Sequence, residues 1–438
     1  IIISYPLFFM EGIHIMKPVY FDDLVNICTN LSEQENKLLP LCAAENAMSP
    51  FSKIPLDTFL QEKYIMGGVM NYQQDSNFVG SKNLYKIYEL LSLQCNQLYG
   101  CKYADARTLS GVNAVMTLLM SLFSSGDTIL ISSEDCGGHG SMPKICHRLG
   151  INTIELPFNY DIYDFDYNEI NRILKEEKIN GILVCLSDIL NLPQLNKIDL
   201  PEDCVLIFDA TQILGLIAAK TIENPLRWFT DKQKFILMGA THKTLPGPTC
   251  GLIMTNNLDL ASKFDTLINP DYLRNSQLHH ILSLILSLME LEIFGKQYCA
   301  SIINNANCLA KTLVHYNFHI IKAASKYTYT HQIFVSMPES DAKKFYNKCL
   351  DYGISINFRN KKLYKPCGLR IGTQEITRYG WTEKEMKSIA EILRDIRDNE
   401  YFSQDISSKI NTISSNKRIC YTFDENYFDI LYTKLHNS

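Results

Sequence analysis

The chain has no surplus of positive charge: 42 Lys and Arg stand against 47 Asp and Glu, leaving a formal charge of −5. Without a basic stripe, nucleic acid is a poor expected partner. The fourteen cysteines contain no CxxC pair, and the ten histidines contain no HExxH and only one adjacent pair, His279-His280. A metal site is therefore not expected, and the thiols read as reduced, mostly buried groups of a cytoplasmic protein. Repeats and low-complexity blocks are absent as well. The apolar opening, IIISYPLFFM, is too short to span a bilayer and lacks the basic flank and cleavage site of a signal peptide. Met10 or Met16 is the expected true start. LHHILSLILSLMELEIF (278–294) comes closest to a membrane segment, but its histidines and glutamates suit a buried helix better, so no membrane association is expected.

What is present is a globular balance, 46% hydrophobic and 20% charged over 438 residues, enough for a large domain and a smaller one. NLYKIYELLSLQCNQLYG reads as an amphipathic helix closed by Gly100, and VNAVMTLLMSLF, apolar on every side, as a buried helix. Compact strand candidates follow at TILIS (128–132), INTIELP (151–157), INGILVCLS (179–187), CVLIFDA (204–210) and KFILMGA (234–240). Short apolar strands separated by helices predict an α/β fold, with a mainly parallel sheet covered on both faces. A long helix is expected over about 276–316. The alternating segments HQIFVSMP and GLRIGT, with helices at YNKCLDYG and EKEMKSIAEILRDIRD, then form a smaller α+β domain. The expected division is an N-terminal arm with helices (1–80), a large cofactor-binding domain (81–275), a linking helix with the small domain (276–400) and an extension of unassigned role (401–438).

Four features can carry chemistry, and each has a plainer reading. Asp209 ends a strand, where α/β sheets place their ligands, and can hold a cofactor cation or cap a turn. Lys243, in GATHKTLPGP, lies just beyond the next strand. Burial there would lower its pKa and make it an imine-forming amine; alone, it could equally be a solvated loop lysine. Ser110-Gly111 opens a helix whose N-terminal N–H groups suit a phosphate, or it is an ordinary N-cap. Arg370 sits inside an apolar strand, where it either grips a substrate carboxylate or completes a buried ion pair. Jointly, the four supply what pyridoxal 5′-phosphate (PLP) chemistry on an amino acid requires: an anchoring lysine, an acid for the pyridine nitrogen, a phosphate cup and a carboxylate clamp.

The segments FDATQILGLIAA and THKTLPGPTCGLI resemble the cofactor core of serine hydroxymethyltransferases, PLP-dependent enzymes of fold type I. So do PLCAAENAMSP (40–50), EKYIMGG (62–68), LSGVNAVM (109–116), CGGHGS (136–141) and GLRIGTQEITRYG (368–380). The resemblance runs from about residue 30 to 400. It implies that Lys243 bonds covalently to PLP, that Asp209 pairs with the pyridinium, and that Ser110, Gly111 and Val112 hold the phosphate with Thr241 and His242. Ser187 and Gln212 would lie near the cofactor ring, Arg370 would bind the substrate carboxylate, and Tyr64 would reach the active site of a partner subunit in a homodimer with shared sites.

Departures from the family pattern are equally informative. The family's catalytic glutamate two residues after the tyrosine is Met66 here, and a thioether cannot transfer a proton. The ring-stacking histidine is Cys136, which leaves His139 as the nearby imidazole. The arginine shortly after the lysine is Thr249. The glycine-rich loop is replaced by INPDYLRNSQ (268–277), in which Arg274 could substitute in charge. The insert ahead of Arg370 is shortened to FRNKKLYKPCG. These changes retain PLP and make tetrahydrofolate use doubtful. The expected function is making or breaking the Cα–Cβ bond of a β-hydroxy amino acid, as an aldolase, hydroxymethyltransferase or transaldolase, with His139 as a proton carrier. The alternatives are another PLP reaction (transamination, racemisation or decarboxylation) and a PLP-binding protein without catalysis.

Overall fold

The structure, a computed structural model, describes residues 17–70 and 79–436. Met10 and Met16 lie outside the described residues. The chain opens with helix α1 (Phe21–Lys37), none of whose side chains is buried, and a later helix α2 (Tyr85–Tyr99), which ends at Gly100 in the left-handed region (φ 70°) that favours glycine.

A seven-stranded sheet follows, built from β1 (Tyr103–Thr108), β2 (Thr128–Ile131), β3 (Asn152–Glu155), β4 (Gly181–Cys185), β5 (Val205–Asp209), β6 (Phe235–Ala240) and β7 (Gly251–Thr255) in the spatial order β1-β7-β6-β5-β4-β2-β3. Pairing is parallel from β6 through β3, and β7 runs antiparallel to both β6 and β1. The central strands β4, β5 and β6 are buried at every position, as their unbroken apolar runs require.

Helix α3 (Gly111–Leu122) lies against β6 and β7. It is not buried all round: Met116 and Met120 are 39% and 43% exposed, because a helix on the outer layer meets the sheet along one side only. β3 also departs from expectation, being largely exposed at the sheet edge, where Asn152, Thr153 and Glu155 are tolerated.

Helix α4 (Leu278–His315) is 38 residues long and apolar enough by composition to cross a membrane, but most of its apolar stretch is buried within the protein. Its first half packs into the core around the large sheet; Ala306, Leu309, Ala310 and Leu313 enter the core of a second, four-stranded sheet. That sheet comprises β8 (His319–Ile320), β9 (Gln332–Ser336), β10 (Asn357–Asn360) and β11 (Cys367–Gly372), all antiparallel, in the order β8-β9-β11-β10. Helix α5 (Glu339–Asp351) packs on it, and α6 (Glu383–Asp398) packs against α4 and α5. The remaining chain forms α7 (Gln404–Ser414), which rests on α6, and α8 (Glu425–His436). The aromatic cluster of α8 covers Phe51, Ile54 and Leu286, with Phe423 and Phe51 rings 4.9 Å apart. All fourteen cysteines stand as unpaired thiols.

Candidate active site

Cys185, Asp209 and Ala240 end three adjacent parallel strands, with Cys185 in register with Asp209. Beyond these carboxyl ends, where parallel sheets bind ligands, a cavity of about 210 Å³ opens. Its lining brings together Ser110, Gly111, Val112, His139, Ser187, Asp209, Gln212, His242 and Lys243, residues spread over more than a hundred positions of sequence.

Lys243 sits on a loop fixed from several sides. Asn46 donates through Nδ2 to the Lys243 carbonyl. Thr241 is fully buried behind the cavity rather than lining it, and its Oγ1 donates to the Pro248 carbonyl. Thr244 Oγ1 donates to the Gln212 carbonyl (3.0 Å) and accepts from Gly215 N–H (3.2 Å). Burial, reinforced by the positive charge of Arg370 and opposed by Asp209, brings the Lys243 pKa down to about 8.

Asp209 is buried and accepts from Thr211 N–H (2.9 Å), the Thr211 hydroxyl and the Cys185 thiol (3.1 Å). One carboxylate thus held in place faces the same cavity as the amine. On the opposite wall, Ser110 caps α3 by accepting from Asn113 N–H (3.2 Å), leaving the first turn's N–H groups at Gly111 and Val112 without intrahelical acceptors. Gly111 has to be glycine: a Cβ there would come within 2.9 Å of Ala240 Cβ and push the helix end off the strand. His242 lines the same cavity. Its Nδ1 is buried with no partner among the described residues, and burial with Lys243 beside it holds its pKa down at about 4, so the imidazole is neutral.

These groups fit PLP. The helix terminus and the orphaned His242 nitrogen suit its phosphate, Asp209 suits a protonated pyridine nitrogen, and a lysine of lowered pKa suits its aldehyde.

His139 is the second imidazole that lines the cavity. Its Nδ1 accepts from Ser141 N–H (3.2 Å), which leaves Nε2 to carry the proton of the neutral ring. Burial lowers its pKa; Asp209 acts against this, whereas Lys243 and Lys361 add to it. Cys136 does not line this cavity. Its thiol donates to the Ser133 carbonyl (3.2 Å) and faces a neighbouring small hollow bounded by Phe158 and Leu363. Tyr64 is also outside the cavity, 39% exposed on the 63–70 segment.

Arg370 makes the buried ion-pair contacts of its plainer reading and does not itself line the cavity. It is buried on β11, donates to the Ser187 carbonyl (2.6 Å) and to Asn357 Oδ1 (2.8 and 3.2 Å), and stands 3.5 Å from Asp188. Asp188 is not its private partner. The same carboxylate takes Arg359 (3.0 Å), Lys361 (2.8 Å) and the Tyr364 hydroxyl (2.9 Å). Burial alone would raise its pKa, but Arg370, Lys361 and Arg359 outweigh burial and bring it down to about 2.

Sequence reasoning missed this cluster, as it missed Gln332, whose side-chain N–H₂ ties the Gln212 side chain (2.9 Å) to the Ser187 carbonyl (3.1 Å). The available signals were slight: a carboxylate beside Ser187 at the exit of an apolar strand, and the basic run FRNKK. Asn46 lay within the quoted PLCAAENAMSP segment without a role.

A family model described as serine hydroxymethyltransferase matches residues 19–393. Among relatives, the serine hydroxymethyltransferase of Thermoplasma volcanium is 31% identical over 391 residues, covering 85% of this chain and 89% of that protein. That of Staphylothermus marinus is 28% identical over 392 residues, covering 86% and 87%. Among solved structures, the L-threonine transaldolase of Pseudomonas fluorescens, in its internal aldimine state, shares the fold with a TM-score of 0.86 at 22% identity, covering 94% of this chain and 97% of that one.

Proposed function

The chain belongs to the serine hydroxymethyltransferase family and is a PLP-dependent enzyme of that type, and from this premise we propose that it makes and breaks the Cα–Cβ bond of a β-hydroxy amino acid without tetrahydrofolate. The observation that carries the reading is the make-up of the Lys243 cavity. It joins the anchoring amine and the Asp209 carboxylate to two imidazoles, His242 and His139, while the position of the family's folate-step glutamate is Met66.

PLP, when bound, supplies the electron sink for the pair released at Cα. Arg370 holds the substrate carboxylate and so fixes which Cα bond stands ready to break. His139 takes the β-hydroxyl proton as the Cα–Cβ bond breaks and the aldehyde leaves, and Cα then regains a proton. Bond synthesis runs the same steps in reverse, so no oxidant or further reactant is needed. Lys243, with its pKa near 8, exchanges protons readily at neutral pH. Tyr64, exposed and outside its own chain's cavity, serves the site of a second copy in a homodimer. The fold shared with a threonine transaldolase agrees with chemistry of this kind on such a scaffold.

The test is to incubate the holoenzyme with serine, allo-threonine, or glycine plus an acceptor aldehyde, each with and without tetrahydrofolate. Aldehyde release from allo-threonine, unchanged by folate, is the expected result. Serine cleavage that requires folate would overturn the folate-independent reading. Amino transfer to a keto acid, with no aldehyde formed, would overturn the reading altogether.

A further inference from the structure

The charge balance beside the cavity does not close. Asp188 is fully buried and, among the described residues, is the one carboxylate within 4 Å of three cations, Arg359, Lys361 and Arg370. The Tyr364 hydroxyl binds it as well, so Oδ1 takes Arg359, Tyr364 and the longer Arg370 contact while Oδ2 takes Lys361. A substrate α-carboxylate on Arg370 would answer one of the two surplus charges and leave the other without an anion. Unpaired charge in a largely buried place is costly, and proteins retain it where a ligand completes it.

The surplus is aimed rather than diffuse. Lys361 also donates to the Gly138 carbonyl (3.1 Å), directly before His139, and its charge is felt by both His139 and Cys185, which line the Lys243 cavity. Arg359 and Lys361 keep 22% and 15% side-chain exposure, whereas Arg370 keeps 3%. The two outer cations are therefore more open to solvent than the carboxylate clamp, and Lys361 stands on the side of the imidazole. A group attached to the departing aldehyde carbon passes on that side if His139 handles the β-hydroxyl proton.

We propose that Arg359 and Lys361 form a second anion site, and that the aldehyde part of the substrate carries a negatively charged group, a carboxylate or a phosphate. The inference rests on the aldol reading for the role of the aldehyde, and on the Asp188 cluster alone for the anion site. Arg359 offers a planar fork and Lys361 a compact point charge, so together they take either anion. The aldol step itself is unaltered in its atoms: glycine and an aldehyde combine to a β-hydroxy amino acid, and the charged substituent is a spectator that orients the aldehyde.

The experiment compares size-matched acceptors with glycine on the holoenzyme: glyoxylate against acetaldehyde, and glycolaldehyde phosphate against glycolaldehyde. The expected result is a kcat/KM at least about 10-fold higher for one anionic aldehyde than for its neutral counterpart, with the pair that responds identifying carboxylate or phosphate. In Arg359→Gln and Lys361→Gln the anionic-to-neutral ratio falls about 10-fold, chiefly through KM, and in Lys361→Arg it is retained.

Calorimetric binding of aspartate and O-phosphoserine against alanine supplies a readout that needs no turnover. If no aldehyde is used but an acidic amino acid still binds tighter than alanine, and loses that margin in Lys361→Gln, the anion site stands and the aldol reading falls. Equal kcat/KM for charged and neutral aldehydes, together with equal binding of acidic and neutral amino acids, would sink the anion site. So would a Lys361→Gln enzyme that folds with an unchanged ratio.

Discussion

Lys243 shows what a single residue owes to its surroundings. A solvated lysine keeps its proton until about pH 10.4, so at pH 7 fewer than about one in a thousand is neutral. With its pKa brought to about 8 by burial and Arg370, roughly one in ten is neutral at pH 7. Because only the neutral amine attacks the PLP aldehyde, the rate of PLP capture by the PLP-free protein is expected to rise with pH through about 8 and level off above it. Stopped-flow absorbance near about 420 nm measures this. The same shift fixes the sign of a stability effect. Between about pH 8 and 10.5 the unfolded chain holds a proton that the folded one has released, so the PLP-free fold gains stability as pH rises across that window. Lys243→Ala should abolish both the absorbance and at least about 10³-fold of the turnover, while a capture rate independent of pH between 6 and 9 would contradict the depressed amine. At this scale Lys243, Asp209 and the Ser110-Gly111 turn were legible because each sits at an element end that the chain itself marks. Asp188 was not, because its meaning comes from Arg359 and Lys361, which only the fold brings to it.

At the scale of elements, the least legible strand is also the one with the most unusual interior. β1 reads YADART and alternates charge where its neighbours are apolar, yet all six positions are buried. Asp105 and Arg107 pair at 2.6 Å, and Arg107 reaches the Asp265 carboxylate at 2.9 Å and the Gly67 carbonyl at 2.8 Å. Hydropathy cannot see a strand whose buried side chains neutralise one another. Asp265 in turn accepts from Val69 N–H (2.9 Å) and Met70 N–H (3.3 Å), so this network pins the segment that carries Tyr64 and Met66 to the large sheet. Gly68 is part of the fit: a Cβ there would fall 2.0 Å from Asp265 Oδ2. Asp265→Ala removes one partner of a buried ion network and should cost about 3–5 kcal/mol of stability, read from the urea midpoint. Hydrogen exchange at 65–70 should rise in the same variant well before the rest of the sheet opens. A cost below about 1 kcal/mol would mean the Asp105–Arg107 pair holds the segment unaided. The long helix α4, by contrast, was readable nearly to its ends, since its apolar run, its polar interruptions and its length all state the same element.

For the whole molecule, the question is whether one chain can complete a site. The Lys243 cavity is lined from the large sheet and its loops, and Asn46 and Arg370 of β11 hold the lining carbonyls of Lys243 and Ser187, all within a single chain. Tyr64 is the exception: the family resemblance gives it a place at the active site, yet it stands exposed and outside its own cavity. Met116 and Met120 on α3 are exposed apolar side chains as well. Mixed dimers decide between a shared and a self-contained site. When Tyr64→Phe and Lys243→Ala subunits are unfolded together and refolded as a mixture, half of the dimers are heterodimers. If Tyr64 serves the partner, one site in each heterodimer has an intact lysine from one chain and an intact tyrosine from the other. Roughly a quarter of the wild-type site count should then return, although each parent alone is impaired. If Tyr64 serves its own chain, every site in the mixture lacks either the lysine or the tyrosine, and mixing restores nothing. A sizing column run beforehand supplies the control, because a purely monomeric protein would leave Tyr64 with no site to serve but its own.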